Sequence, residues 1–213
     1  MICLLFGPPG CGKGTQARLL SQWLGIPHMS TGALLRASGD EALKQHLAAG
    51  GFASDDMVNA IIGERLESEP PRLILDGYPR TLAQAMYLDG LLDKLGLGAP
   101  VAIHLSVNIE ILIQRLADRR QCPGCQRVYN LRVDPPVDRA VCDDCQTALE
   151  HRDDDAIGTV RRRLEIYDTL TAPVVNHYQS GLYFDFDGDR PPAEVFADLQ
   201  RALKFQQVQR LGD

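Results

Sequence analysis

The sequence predicts an α/β protein, a five-stranded parallel sheet with helices on both faces, on three observations. A glycine-rich stretch, GPPGCGKGT from Gly7 to Thr15, joins a short apolar run to a segment with helical periodicity. Further compact apolar runs alternate with helical patterns down the chain, and strands joined in this way pair in parallel through right-handed crossovers. One segment, Gln121 to His151, breaks the alternation with turns, prolines and paired cysteines, and is set apart as an insertion.

Ile2 to Phe6 is apolar at every position, as a short strand buried on both faces must be. The first helix runs from about Gly12 to Leu24 and stops near Gly25, with Pro27 just beyond. A short second strand covers His28 to Ser30. From Ser30 to Ala60, apolar residues recur in short helical sets (Leu34, Leu35; Leu43, Leu47; Met57, Ile61) broken by Gly39, Gly50 and Gly51, which predicts a small helical insertion. Pro70 and Pro71 break the chain before the third strand, Leu73 to Leu75. That strand delivers Asp76, Gly77, Tyr78, Pro79 and Arg80 to the end of the sheet where open α/β folds bind ligands. A helix over Thr81 to Leu95, a strand over Val101 to Val107 and a helix over Ile109 to Arg120 follow. After the insertion come a long helix (Asp155 to Tyr178), a fifth strand (Leu182 to Phe186) and a last helix (Ala193 to Phe205). The five histidines form no Cys/His or His/Asp array along the sequence, so each, His28 and His104 included, is read as structural.

At 213 residues with 45% hydrophobic content, the chain suits one generous domain or a core with small insertions. No apolar run is long enough to span a bilayer and no basic segment leads into a cleavable stretch, so a cytoplasmic location is expected. The net charge of −6 argues against a protein that coats nucleic acid. Only four of the 22 basic residues are lysines (Lys13, Lys44, Lys94, Lys204). Compositional bias explains most of the arginines, yet a guanidinium also grips phosphate with a planar fork, so position must decide which ones matter.

Phosphate oxygens are satisfied by a loop whose amides turn inward and whose side chains leave room, which explains Gly7, Gly10, Gly12 and Gly14; Lys13 then reaches the outer phosphates. The residue after Lys13 is glycine, so Thr15 is the candidate hydroxyl for magnesium. Cys11 needs only to be small, and Cys3 belongs to the first strand. Cys122-Pro-Gly-Cys125 and Cys142-Asp-Asp-Cys145 have the spacing of a structural zinc site with four thiolates, against two disulfides or a catalytic zinc; iron or cobalt remain open. Val128, Tyr129, Leu131 and Val133 between the pairs suggest short strands. Arg115, Arg119, Arg120, Arg152, Arg161, Arg162 and Arg163 flank that segment. On a helix Arg115 and Arg119 would share a face at i, i+4, a repulsive pairing unless an anion lies between them.

GPPGCGKGTQA, HMSTGALLRA, LILDGYPRT with Gln84, RLADRR and HRDDDAIGTVRRRLEIY occur in this order across the whole chain. Together they resemble the adenylate kinases, in the form with a zinc-bearing lid. The resemblance implies phosphoryl transfer from ATP, with magnesium, to AMP, giving two ADP and serving adenine nucleotide homeostasis. It implies ATP phosphates on Gly10, Cys11, Gly12, Lys13, Gly14 and Thr15, adenine near Arg115, Val128 and Tyr129, and Arg190 also in the ATP site. The acceptor would lie on Thr31, Arg36, Gly51, Phe52, Ala53, Gly77, Tyr78, Pro79, Arg80 and Gln84, with Arg152 and Arg163. Lys13, Arg80, Arg119, Arg152 and Arg163 would surround the transferred group, and Asp76 would orient magnesium through water. The same resemblance divides the chain into a core (1–29, 61–120 and 154–213), a monophosphate-binding insertion (30–60) and a lid (121–153), and a monomer is expected.

Three departures from the family pattern fall in the acceptor insertion: Ala33 in place of an aspartate, Ala53 in place of a valine, and a short stretch between Arg36 and Gly50. They bear on acceptor identity, for which another monophosphate is the neighbouring reading. A nucleotide-gated zinc ribbon that binds nucleic acid is the reading from another class, and the acidic balance opposes it.

Overall fold

In the computed structural model, residues 1–37, 39–68 and 72–210 are described, apart from the side chains of residues 157 and 205–210. The break expected at Pro70 and Pro71 lies outside them. The central sheet is built from β1 (Ile2–Phe6), β2 (His28–Ser30), β3 (Leu73–Asp76), β4 (Val101–Ser106) and β7 (Leu182–Asp187) in the order β2-β3-β1-β4-β7. All pairings are parallel, as predicted. A second, two-stranded antiparallel sheet pairs β5 (Arg119–Gln121) with β6 (Val128–Asn130).

Strand side chains alternate between faces, and β1 shows what that does here. Ile2, Leu4 and Phe6 enter a core shared with α4 (Asp55–Ser68), α5 (Leu82–Lys94) and α8 (Ala172–Tyr178). Cys3 and Leu5 enter the opposite core with α1 (Lys13–Leu24), α6 (Ile109–Ala117), α7 (Ile157–Ile166) and α9 (Pro192–Arg210). Both faces are thereby covered, which is why the strands carry no polar alternation. Gly25, at φ 63°, caps α1 by donating its N–H to the Ser21 carbonyl, the stop expected from the sequence.

Between β2 and β3 the chain forms α2 (Thr31–Arg36), α3 (Glu41–Ala48) and α4, whose helix continues through residues 60 and 61. Ser30 and Asp40 cap the first two by accepting from Ala33 and Leu43. Leu35 is buried, whereas Leu34 and Met57 lie on the surface, so only part of the apolar pattern in this region marks core.

Two helical readings need correction. The helix expected over Ile109 to Arg120 ends at Ala117, and Arg119 opens the lid hairpin opposite Asn130, so Arg115 and Arg119 share no helix face. The long helix expected from Asp155 to Tyr178 is divided into a short 3₁₀ turn (Asp153–Asp155), α7, a π-type turn (Tyr167–Thr171) and α8. Pro173 accounts for the second break: it has no N–H to give and its ring crowds the preceding turn.

Candidate active site

β1 ends between β3 and β4, where the connections of the sheet diverge to either side, the position at which α/β sheets open a crevice. The glycine-rich stretch leaves β1 there and leads into α1. Gly7 (φ 141°) and Gly10 (φ 86°) adopt backbone conformations that residues with a side chain rarely take, and a Cβ on Gly7 would lie 2.6 Å from Cys11 Sγ and 2.7 Å from the Leu105 carbonyl oxygen. Lys13 Nζ donates to the Gly7 and Pro8 carbonyls at 2.5 and 3.0 Å, folding its cation over the mouth of the loop.

That loop forms one wall of a cavity of ≈ 860 Å³. Gly10, Cys11, Gly12, Lys13, Gly14 and Thr15 line it, as do Arg36, Phe52, Asp76, Gly77, Pro79 and Arg80. Arg115, Arg119, Val128, Tyr129, Arg152, Arg163 and Arg190 complete the predicted nucleotide-site residues on its wall, and Cys125 of the four-cysteine set also lies on it. Arg115 is pinned by donating to the Gly188 and Asp189 carbonyls at 2.7 and 3.1 Å, and Arg190 pairs with Asp198 at 2.6 Å and with Glu194. Val128 and Tyr129 reach the wall from β6.

Other predicted residues do not line it. Thr31 and Gln84 are both 3% exposed, and their polar atoms are engaged within the protein. The Thr31 hydroxyl donates to the Gly77 carbonyl (2.9 Å); Gln84 accepts the Arg80 N–H (2.7 Å) and donates to Asp55 (2.7 Å). Tyr78 is buried, its hydroxyl donating to Asn59 at 2.7 Å. Ala53 is buried, and Gly51 carries the His46 ring: a Cβ there would stand 2.2 Å from His46 Nε2. Of the flanking arginines, Arg161 and Arg162 are exposed on α7, and Arg120, half-buried, donates to the Arg119 carbonyl at 2.7 Å; none of the three lines the cavity.

Two residues that the sequence reading passed over organise the others. Asp155 makes a two-pronged pair with Arg119 and meets Arg163 at 3.1 Å, while Asp154 grips Arg152 (2.8 and 2.5 Å) and Arg163 (3.2 Å). Both carboxylates are nearly removed from solvent. Their signal was present in the run Asp153, Asp154, Asp155 beside Arg152, but nothing local says which acids turn inward. Burial, with Arg152 acting in the same direction, pushes the Arg36 guanidinium down to about 9 and Arg119 down to about 10. Both remain cationic near neutral pH. Arginines on the cavity wall outnumber its carboxylates, Asp76, Asp134 and Asp144, so the cavity is built to receive an anion.

Burial by itself would raise the Asp154 carboxyl, but Arg152 and Arg163 outweigh it and hold it down at about 2. A depressed carboxylate contributes stability that is present above its ordinary value and lost as pH falls through the folded one. The stability gap between the wild type and Asp154→Asn is therefore expected to narrow by about 2 kcal/mol between about pH 5 and about pH 2. Denaturant melts of both proteins across that range would show a constant gap if the pairing were unimportant.

Asp76 faces the same cavity. Burial raises its carboxyl, but His28 at 3.7 Å, Lys13 and Arg80 together outweigh that and keep it below the usual carboxylate value. Its Oδ2 lies 3.5 Å from where a Gly14 Cβ would stand, so an ionised carboxylate sits against the glycine-rich loop with Thr15 nearby, a hard oxygen set suited to magnesium and its water. Histidines that form no array along the sequence meet aspartates in the fold: His28, His104 and His177 face Asp76, Asp185 and Asp89 across elements distant in sequence.

The four lid cysteines converge. Their sulfurs lie within 4.8 Å of one another, and two equivalent turns bring them there: Gln126 (φ 62°) donates to the Cys122 carbonyl and Gln146 (φ 58°) to that of Cys142. Four sulfurs about a tetrahedral zinc at roughly 2.3 Å stand about 3.8 Å apart, so the cluster fits a metal of that kind. None of the cysteines forms a disulfide. Of the apolar lid residues, Val128 to Asn130 form a strand as expected, whereas Leu131 and Val133 lie in the turn beyond it.

Comparison with known proteins agrees with this geometry. The family model described as adenylate kinase matches residues 5–182. An adenylate kinase of Anaeromyxobacter sp. (strain K) is 46% identical over 213 residues, covering 95% of this chain and 99% of the relative. Those of Syntrophomonas wolfei subsp. wolfei (41%) and Symbiobacterium thermophilum (39%) each cover 96% of this chain and 99% of their own. Matched over most of its length by the family model and over nearly all of it by these relatives, the chain belongs to the adenylate kinase family.

Proposed function

We propose that the protein transfers a phosphoryl group reversibly from ATP to AMP, giving two ADP, on a single chain in the cytoplasm. The observation that carries this is the shared cavity: a phosphate loop with its lysine on one wall and Arg36, Arg80, Arg119, Arg152 and Arg163 on the others. Phosphoryl transfer asks a protein for in-line positioning and cations around spreading charge, and an acceptor that is itself a phosphate needs no general base.

On this reading residues 10–15 hold the donor phosphates, and the fixed guanidinium of Arg115 offers a flat face to adenine beside Val128, Tyr129 and Arg190. Arg36 and Arg80 hold the acceptor phosphate by forked contacts, with Phe52, Gly77 and Pro79 beside it and Gly51, Ala53 and Tyr78 supporting from behind. Thr31 and Gln84 meet a base only if their internal hydrogen bonds are exchanged, so base recognition is coupled to rearrangement of the insertion, residues 30–60. Thr15 and Asp76 would hold magnesium through water, and that ion neutralises charge on the phosphates when bound. Cys122, Cys125, Cys142 and Cys145 would hold a structural zinc in the lid, residues 121–153. The core, 1–29, 61–120 and 154–213, carries both segments, and their closure would exclude water that otherwise hydrolyses ATP. Among the described residues no helix is long and apolar enough to cross a membrane.

A coupled assay with ATP and each of AMP, CMP, UMP and GMP tests the acceptor. AMP is expected to show the highest kcat/KM, because a site that reads a base with buried hydrogen bonds rejects a mismatched one. A higher value for another monophosphate would mean that Ala33, Ala53 and the short insertion have changed the substrate.

A further inference from the structure

The π-type turn from Tyr167 to Thr171 does more than accommodate Pro173. It closes through the Ala172 N–H donating to the Tyr167 carbonyl, and it brings Tyr167 and Thr171 together on the cavity wall, both largely buried. Single turns of this kind inside helices recur at functional sites. Here the turn reaches two walls at once. The Tyr167 hydroxyl hydrogen-bonds His104 Nε2 on β4 at 3.1 Å, and the Thr171 hydroxyl donates to the main-chain carbonyl of Arg80 at 3.1 Å.

Arg80 lies beyond the last sheet pairing of β3, at Asp76, so no strand neighbour fixes its backbone. Side chains do so instead. Gln84 takes its N–H and Thr171 its carbonyl. The Arg80 Nε then donates to the Gly77 carbonyl at 2.7 Å, and the guanidinium lies 4.8 Å over the Phe52 ring. We propose that Thr171 is a positioning residue for Arg80, setting through the main chain where the guanidinium meets the transferring phosphoryl group. This rests on the reading of Arg80 as a transition-state cation. A small displacement of such a group weakens the transition state far more than it weakens donor binding.

Thr171→Val removes the donor at nearly constant volume, and Thr171→Ala removes it with less bulk should valine disturb packing. In both, kcat is expected to fall about five- to twenty-fold while KM for ATP stays within about twofold, and Thr171→Ser is expected to restore most of the rate. With Arg80→Lys, whose ammonium lacks the planar fork, adding Thr171→Val should cost no further rate. Melting temperatures of every variant report whether the fold stands. Wild-type kcat in the hydroxyl-free variants, failure of serine to rescue, or independent effects of the two substitutions would each overturn the positioning role. If Arg80→Lys itself keeps wild-type kcat, the assignment of Arg80 falls instead, and the two failures are told apart.

Discussion

Lys13→Met is expected to leave the protein folded while kcat falls by about 10²- to 10³-fold. In the structure Nζ satisfies itself on the Gly7 and Pro8 carbonyls, oxygens of the loop proposed to present its amides to phosphate. On the proposed reading a bound nucleotide would replace those carbonyls with phosphate oxygens, and charge developing on them during transfer would strengthen the contact most in the transition state. The substitution therefore strikes kcat rather than binding alone. It deletes no part of either core, since Lys13 lies on the cavity wall and α1 packs through Ala17 and Leu20, so the thermal melt should shift little. Steady-state kinetics beside a melting curve decide the matter. Retention of more than about a tenth of wild-type kcat, a loss below about 1.4 kcal/mol, would remove Lys13 from the role assigned to it.

The second large effect is expected in the lid. Its buried apolar cluster consists of Cys122, Tyr129 and Cys142, with Leu149 packed against it, so two of the three buried side chains are the proposed ligands themselves. Such a cluster removes too little apolar surface from water to offset the entropy of ordering the segment, and a metal bound by the folded form alone would supply the difference. Replacing Cys142 and Cys145 by serine should abolish bound metal, measured as zinc per chain in the purified protein. It should also lower Tm, at about 2–4 °C for each kcal/mol lost in a protein of this size. Arg119 begins the hairpin and Tyr129 sits within it, so activity should fall as well. A metal-free wild type with four freely reacting lid thiols, full activity and an unchanged melt would sink this account.

What was legible in the sequence is what depends on neighbours along the chain. The strand, glycine-rich loop and helix from Ile2 to Leu24 follow from apolar spacing and from backbone angles that only glycine takes freely, and the two Cys-x-x-Cys turns follow from short-range geometry. The parallel sheet order then has few alternatives once strands alternate with helices.

The tertiary structure decided which charges meet. Asp154 and Asp155 became the carboxylates that set three arginines: Arg152 and Arg163 are near in sequence, but Arg119 meets Asp155 only because the turn beneath α7 carries it inward toward β5, across thirty-six residues of chain. The same distance hid the pairing of His104 with Asp185, and of Thr171 with Arg80. Packing also decided that Thr31 turns to the Gly77 carbonyl and Gln84 to the Asp55 carboxylate and the Arg80 N–H, since a buried polar atom takes the partner that its surroundings offer. Local sequence determines the backbone path and the kinds of group available. Which of them are desolvated together depends on how the helices cross the sheet, and that crossing sets the charge and geometry of the cavity.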